Sequence, residues 1–184
     1  MKSPDKKRIA VFCGSNNGLD PSYTKSCLEL ARILVDNRIG MVFGGGNVGL
    51  MGILADEMLQ LGGEVTGVIP QKLVDIEVAH RGCTHLHIVS GMHERKAMMA
   101  DLSDAFVALP GGIGTLEELF EVYTWLQLGY HDKPVGVLNV NGFYDQLIGF
   151  LKQLVGQGFL KEYQFGRLQV FNTLEELTEV LLKI

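Results

Sequence analysis

Short apolar runs recur along this chain, separated by longer stretches whose apolar positions fall at helical spacing. The runs Ile9–Cys13, Gly40–Phe43, Glu64–Ile69, Leu86–Val89, Ala105–Leu109, Val135–Val140 and Leu168–Phe171 predict strands. Several are apolar throughout, the pattern of strands covered on both faces. Between them, Pro21–Asn37 carries Leu28, Ala31, Leu34 and Val35 on one helical face. Val48–Leu61 does so with Val48, Met51, Ala55, Met58 and Leu59, and Leu116–Leu128 with Leu116, Leu119, Phe120 and Tyr123. Helices also fit Met92–Leu102, Phe143–Val155 and Thr173–Leu182. Strand–helix alternation of this kind predicts an α/β fold: a Rossmann-like, doubly wound parallel sheet with helices on both faces. One domain over residues 1–184 is expected, with residues 1–7 as a flexible tail. Ligands of such folds bind beyond the carboxyl ends of the strands.

Composition changes this picture in two places. The 184 residues include 23 glycines, grouped as in Gly44-Gly45-Gly46 and Gly111-Gly112 directly after predicted strands. That grouping marks places where backbone approaches something closely. The formal net charge is −5 with no basic stripe, which argues against a nucleic-acid partner but leaves room for a single nucleotide. Cys13, Cys27 and Cys83 show no paired spacing and read as free thiols in a reducing compartment, not a metal site. No apolar stretch has membrane-spanning length and the polar start Met1–Arg8 lacks a signal core, so a cytoplasmic protein without a membrane partner is expected.

Three local patterns carry candidate chemistry. Gly44-Gly45-Gly46-Asn47-Val48-Gly49 matches the dinucleotide pattern G-x-G-x-x-G between a strand and a helix. The next strand, however, ends Gly67-Val68-Ile69-Pro70 and offers no acid for a ribose hydroxyl. A tight turn or a mononucleotide site fits as well. The second loop, Pro110-Gly111-Gly112-Ile113-Gly114-Thr115, leaves a strand and enters a helix. Its backbone N–H groups and the helix start suit a phosphate, with Thr115 adding a hydroxyl. Glu118 has two readings. Thr115-x-x-Glu118 has capping-box spacing, and a carboxylate at that place can also face a sugar. The third pattern is Met92-His93-Glu94-Arg95-Lys96. Two cations at a helix start oppose the helix dipole; a local rule broken in this way points either to function or to a solvated charged turn. His85 and His87 alternate along a strand without an evident third ligand.

Together, Gly44-Gly45-Gly46-x-x-Gly49-Leu50-Met51-Gly52, Met92-His93-Glu94-Arg95-Lys96 and Pro110-Gly111-Gly112-Ile113-Gly114-Thr115-Leu116-Glu117-Glu118 resemble the "Lonely guy" family of cytokinin riboside 5′-monophosphate phosphoribohydrolases. The resemblance runs from about Ile9 to the C-terminal helix and includes Thr124-Trp125 and the run His131 to Gly136. It implies hydrolysis of the N-glycosidic bond of a nucleoside 5′-monophosphate, a cytokinin nucleotide or AMP, by a homodimer without metal or organic cofactor. It implies Arg95 and Glu118 as catalytic residues. It implies substrate contacts from Glu77, Arg95, Lys96, Gly111, Gly112, Ile113, Gly114, Thr115, Leu116, Glu117, Glu118 and Thr124. Members have also been labelled lysine decarboxylases, yet no lysine here is marked as a pyridoxal phosphate partner. The competing expectation is a non-catalytic nucleotide or molybdenum-cofactor carrier, a class similar in fold that does not need the Glu118 carboxylate.

Overall fold

The computed structural model describes residues 7–76 and 79–184. Residues 1–6 of the expected tail, and Glu77, lie outside the described residues; the Lys7 carbonyl accepts a hydrogen bond from the Gly40 N–H. The seven strands are β1 (Arg8–Phe12), β2 (Gly40–Phe43), β3 (Val65–Pro70), β4 (His85–Val89), β5 (Ala105–Ala108), β6 (Val135–Leu138) and β7 (Leu168–Phe171). They form one sheet in the order β4-β3-β2-β1-β5-β6-β7, every pair parallel. The helices are α1 (Pro21–Asp36), α2 (Gly49–Gln60), α3 (Gln71–Val74), α4 (Met92–Leu102), α5 (Ile113–Leu128), α6 (Asp145–Gly156), α7 (Glu162–Phe165) and α8 (Leu174–Leu181).

Strand β1 shows why both faces are covered. Ile9 and Val11 pack into a core with α1, α2 and α8, while Ala10 and Phe12 pack into a second core with α4, α5 and α6. Residues of opposite parity serve opposite faces, so Ile9–Phe12 is apolar throughout, while the buried Arg8 at the strand's start is paired with Glu64. The chain winds outward from β1 to β4, then returns to place β5 on the other side of β1. The connections after β1 and β5 therefore diverge, α1 to one face and α5 to the other. The crevice between them is the topological switch point, where this class of sheet binds ligands.

The structure departs from the sequence expectations at element ends. Helix α5 begins at Ile113, three residues ahead of the expected start at Leu116, because the exposed Ile113 does not belong to the buried face that sets the helical period. Strand β6 stops at Leu138 because the Asn139 side chain turns the chain: its Oδ1 accepts the Tyr144 N–H at 2.7 Å and its Nδ2 donates to Asp145 at 2.8 Å. The buried Tyr144 hydroxyl then donates to the Leu109 carbonyl at 2.6 Å and anchors the end of β5. Helices α3 and α7 were not expected; a single turn is too short to show a helical period. Among the described residues no helix is long and apolar enough to cross a membrane.

Candidate active site

The loop after β5 is the floor of a cleft of about 190 Å³ at the switch point. Gly112, Ile113, Gly114, Thr115, Glu117 and Glu118 line it from α5, Met92 and Arg95 from α4, Met51 from α2, and Cys13 and Ser15 from the end of β1. A second hollow of about 250 Å³ adjoins it and includes Gly111 and the turn Gly14–Gly18. The Gly14–Gly18 turn was not singled out from sequence. Its signal was a glycine-bounded polar stretch directly after the central strand.

Gly112 is the N-cap of α5, and the helix has no side-chain cap. The first backbone bond of the helix runs from the Leu116 N–H to the Gly112 carbonyl. The N–H groups of Ile113, Gly114 and Thr115 thus have no acceptor within the helix and stand at the positive end of its dipole. Thr115 is the third helical residue and is buried, so it cannot be the cap. The capping-box spacing of Thr115 and Glu118 is a coincidence of the earlier helix start. A carboxylate does brace a helix start nearby: Glu94 of α4 accepts the Ser90 N–H at 2.8 Å and the Ser90 hydroxyl at 2.6 Å.

Bracing by Glu94 steadies the turn that presents Arg95. This arginine is buried, and its Nη2 donates to the Gly44 carbonyl at 3.2 Å and lies 3.4 Å from Glu118 Oε1. Its Nη1 meets the Met92 sulfur at 3.8 Å, and its buried Nε has no partner. The glycine at position 44 is explained by this contact, since a Cβ there would lie 1.8 Å from Nη2. Gly49 is explained by the opposite neighbour: its φ is +58°, and a Cβ would fall 2.2 Å from the Ser15 carbonyl carbon. The G-x-G-x-x-G stretch therefore seats Arg95 and packs α2 against the β1 turn. Residues 44–49 line neither hollow.

Glu118 is nearly buried, and burial pushes its carboxyl up to about 7. Arg95 and Lys96 pull it down, while Glu117 and Glu121 push it up. Desolvation prevails over the arginine because the ion pair is loose, longer than a good hydrogen bond. The neighbouring Cys13 thiol is held in its neutral form by burial, by Cys27 and by Glu118. The result is a carboxyl poised between its acid and its anion near neutral pH, beside a fixed cation and three free backbone donors. Such a set can hold an anion and, a few ångströms away, stabilise or accept positive charge.

Other expected site residues stand differently. The Lys96 ammonium is bound to Glu117 and lies 3.0 Å from Glu121. Leu116 packs its side chain toward the core of the α4–α5 face. Thr124 is exposed further along α5 and donates its hydroxyl to the Phe120 carbonyl at 2.6 Å. Glu77 is outside the described residues, but the chain resumes beside the first glycine loop: Ala79 bridges Gly46, and the His80 N–H donates to the Gly45 carbonyl. His85 and His87 are exposed on the edge strand β4, and among the described residues no three metal-ligating side chains converge.

Sheet order and cleft define a Rossmann-like α/β protein with a buried arginine–glutamate pair at its switch point. A family model described as possible lysine decarboxylase matches residues 51–181. A cytokinin riboside 5′-monophosphate phosphoribohydrolase of Arabidopsis thaliana is 49% identical over 158 residues, 86% of this chain and 69% of the relative. The enzyme of that name from Oryza sativa subsp. japonica is 51% identical over 156 residues, 85% of this chain and 64% of the relative. The chain belongs to this family, the Lonely guy phosphoribohydrolases. A molybdenum cofactor binding protein from Rippkaea orientalis superposes with a TM-score of 0.72 over 98% of both chains at 20% identity, a likeness of fold.

Proposed function

We propose that this protein hydrolyses the N-glycosidic bond of a nucleoside 5′-monophosphate, releasing the base and ribose 5-phosphate. The observation that carries the reading is the placement of Glu118 and Arg95 beside the uncapped start of α5 in one cleft. The 5′-phosphate sits on the N–H groups of Ile113, Gly114 and Thr115, in the field of the helix start. Gly112 keeps the approach clear, since nothing lies within 4 Å of where its Cβ would be, while Gly111 packs against Thr115 and Gly14. Cleavage builds positive charge on the ribose, and the Glu118 carboxylate stabilises it and orients or activates the attacking water. With a carboxyl near 7, Glu118 can take the water's proton at neutral pH and release it afterwards. Arg95 keeps Glu118 in place and holds a fixed positive charge at the wall of the cleft.

Phosphate contacts remote from the broken bond supply orientation, so the monophosphate reacts and the nucleoside does not. Relatives named for cytokinin nucleotides support a purine carrying a prenyl group, with AMP as the unsubstituted alternative. Glu77 and Thr124 belong to the substrate contacts in this reading. The resemblance also supports a cytoplasmic homodimer working without metal or organic cofactor.

The test is incubation with AMP, isopentenyladenosine monophosphate and the two parent nucleosides, with products separated by chromatography. Base and ribose 5-phosphate from the monophosphates alone are expected, with turnover abolished in Glu118→Gln. Equal cleavage of nucleosides, or full activity in Glu118→Gln, overturns the assignment.

A further inference from the structure

Helix α5 carries three carboxylates within little more than one turn: Glu117, Glu118 and Glu121. Like charges at this spacing repel, and partial burial strengthens the repulsion. One ammonium answers two of them. The Lys96 side chain is only 10% exposed; it is bound to Glu117 and lies 3.0 Å from Glu121. The second Glu121 carboxylate oxygen is buried without a partner. This lysine spans from α4, next to Arg95, so the two cations meet the acidic stripe side by side. Lys96 is absent from the cleft walls.

We infer that Lys96 is a positioning residue, whose ammonium draws Glu117 and Glu121 aside and offsets their charge so that Glu118 can work as an anion. The inference rests on the reading of Glu118 as the reacting carboxylate. It differs from the expectation that Lys96 grips the nucleotide. The charged and titratable groups that bear on Glu118 come from three elements: the Cys13 thiol at the end of β1, Arg95 and Lys96 on α4, and Glu117 and Glu121 on α5. Cys13 is neutral, because burial holds its thiol well above the usual range. Arg95 alone then faces three carboxylates if Lys96 is removed. The direction of each coupling agrees: Lys96 lowers the Glu118 carboxyl, and Glu117 and Glu121 raise it.

The experiment compares wild type with Lys96→Met, Lys96→Arg, Glu121→Gln and the double variant Lys96→Met/Glu121→Gln. The first readout is kcat/KM against pH, from about 5 to 9, with the monophosphate that the wild type cleaves fastest. A second readout, independent of turnover, is carbon-13 titration of the glutamate carboxyls, with the Glu118 signal identified by its absence in Glu118→Gln. In Lys96→Met the acidic limb should rise by about one pH unit, roughly a tenfold loss of kcat/KM below it, and the Glu118 signal should follow. Lys96→Arg should keep the limb near wild type, and the double variant should bring it back. An unmoved limb and signal in Lys96→Met, with KM raised and no rescue by Glu121→Gln, would overturn the inference and make Lys96 a substrate contact. Should Lys96→Met fail to fold, Lys96→Gln, which keeps a polar tip for the two carboxylates but no charge, reads the same coupling: its limb should rise, and an unmoved limb overturns the inference. A wild type inert toward every monophosphate refutes the proposed reaction, while the carbon-13 titration still decides the role of Lys96.

Discussion

Replacing Gly44 with Ala separates folding from chemistry at a residue that lines neither hollow. The added Cβ would lie 1.8 Å from Arg95 Nη2, and its next nearest neighbour, the guanidinium carbon, is 3.0 Å away. The backbone at Gly44 is not in the left-handed region, so alanine itself is tolerated there. The obstacle is the far end of a long side chain, which can swing aside. Doing so breaks the bond to the Gly44 carbonyl, a charge-assisted hydrogen bond worth about 1.5–3 kcal/mol. For a chain of this size a loss of about 2 kcal/mol lowers Tm by roughly 4–8 °C, which leaves a folded protein at 25 °C. Activity should suffer far more. A displaced guanidinium no longer holds Glu118, and misplacement by about 1 Å costs on the order of 100-fold. Glu118 also loses its largest opposing charge, so its carboxyl rises above 7 and less of it is ionised at neutral pH. We expect kcat/KM at pH 7 to fall about 100-fold, with part of the loss recovered at higher pH. Steady-state kinetics across pH, beside a thermal melt, give both quantities. Wild-type kcat/KM with an unshifted acidic limb would refute the claim that Gly44 exists to seat Arg95.

Gly49→Ala should instead attack the fold, because its φ of +58° and a 2.2 Å approach to the Ser15 backbone leave nothing flexible to yield; a loss of about 3 kcal/mol or more is expected in urea unfolding. Gly112→Ala meets nothing within 4 Å and should change stability by less than about 0.5 kcal/mol, yet raise KM for a monophosphate roughly tenfold by crowding the phosphate; an unchanged KM would place the phosphate elsewhere. Glu118→Gln should gain stability relative to wild type as pH rises. The folded carboxyl, near 7, is raised from its ordinary 4.5, so the folded state binds more protons between those values and wild-type stability falls across that window. The advantage of the variant should grow by about 3 kcal/mol between pH 4.5 and 8, read as the difference in urea midpoints; a constant difference would mean that Glu118 is not held near neutrality.

The strands were legible because burial on both faces leaves a continuous apolar run, as in Ile9–Phe12 and Ala105–Ala108. Helix ends were less legible. Helix α5 opens on Ile113-Gly114-Thr115, a poor helix start by propensity, and no side chain caps it. A start without a cap keeps its N–H groups available, so the feature that hid the boundary is the one that suits it to an anion. Arg95 and Lys96 stood out by breaking the dipole rule, but their partners could not be seen. Gly44, Glu118, Glu117 and Glu121 are brought to them only by the β2–β1–β5 arrangement. The first glycine loop left a tight turn and a mononucleotide site open in sequence for a similar reason, and the structure shows the tight turn. Its spacing copies a phosphate-binding turn, while its glycines answer to Arg95 and Ser15.

One helix carries both ends of the proposed reaction. The free N–H groups sit on Ile113, Gly114 and Thr115, and Glu118 follows roughly one turn later, about 5–6 Å along the axis. That is the reach of a ribose from its 5′-phosphate to its anomeric carbon. A phosphate docked on the helix start therefore brings the anomeric centre to the carboxylate with no moving part. A nucleoside lacking the phosphate leaves the same donors unpaired and has nothing to fix its register along the helix. The spacing also accounts for the buried carboxyl. An exposed glutamate at this position would be stable and ionised but weakly basic. Sinking it beside Arg95 costs folding free energy at neutral pH and yields a carboxylate that can exchange a proton with water during turnover.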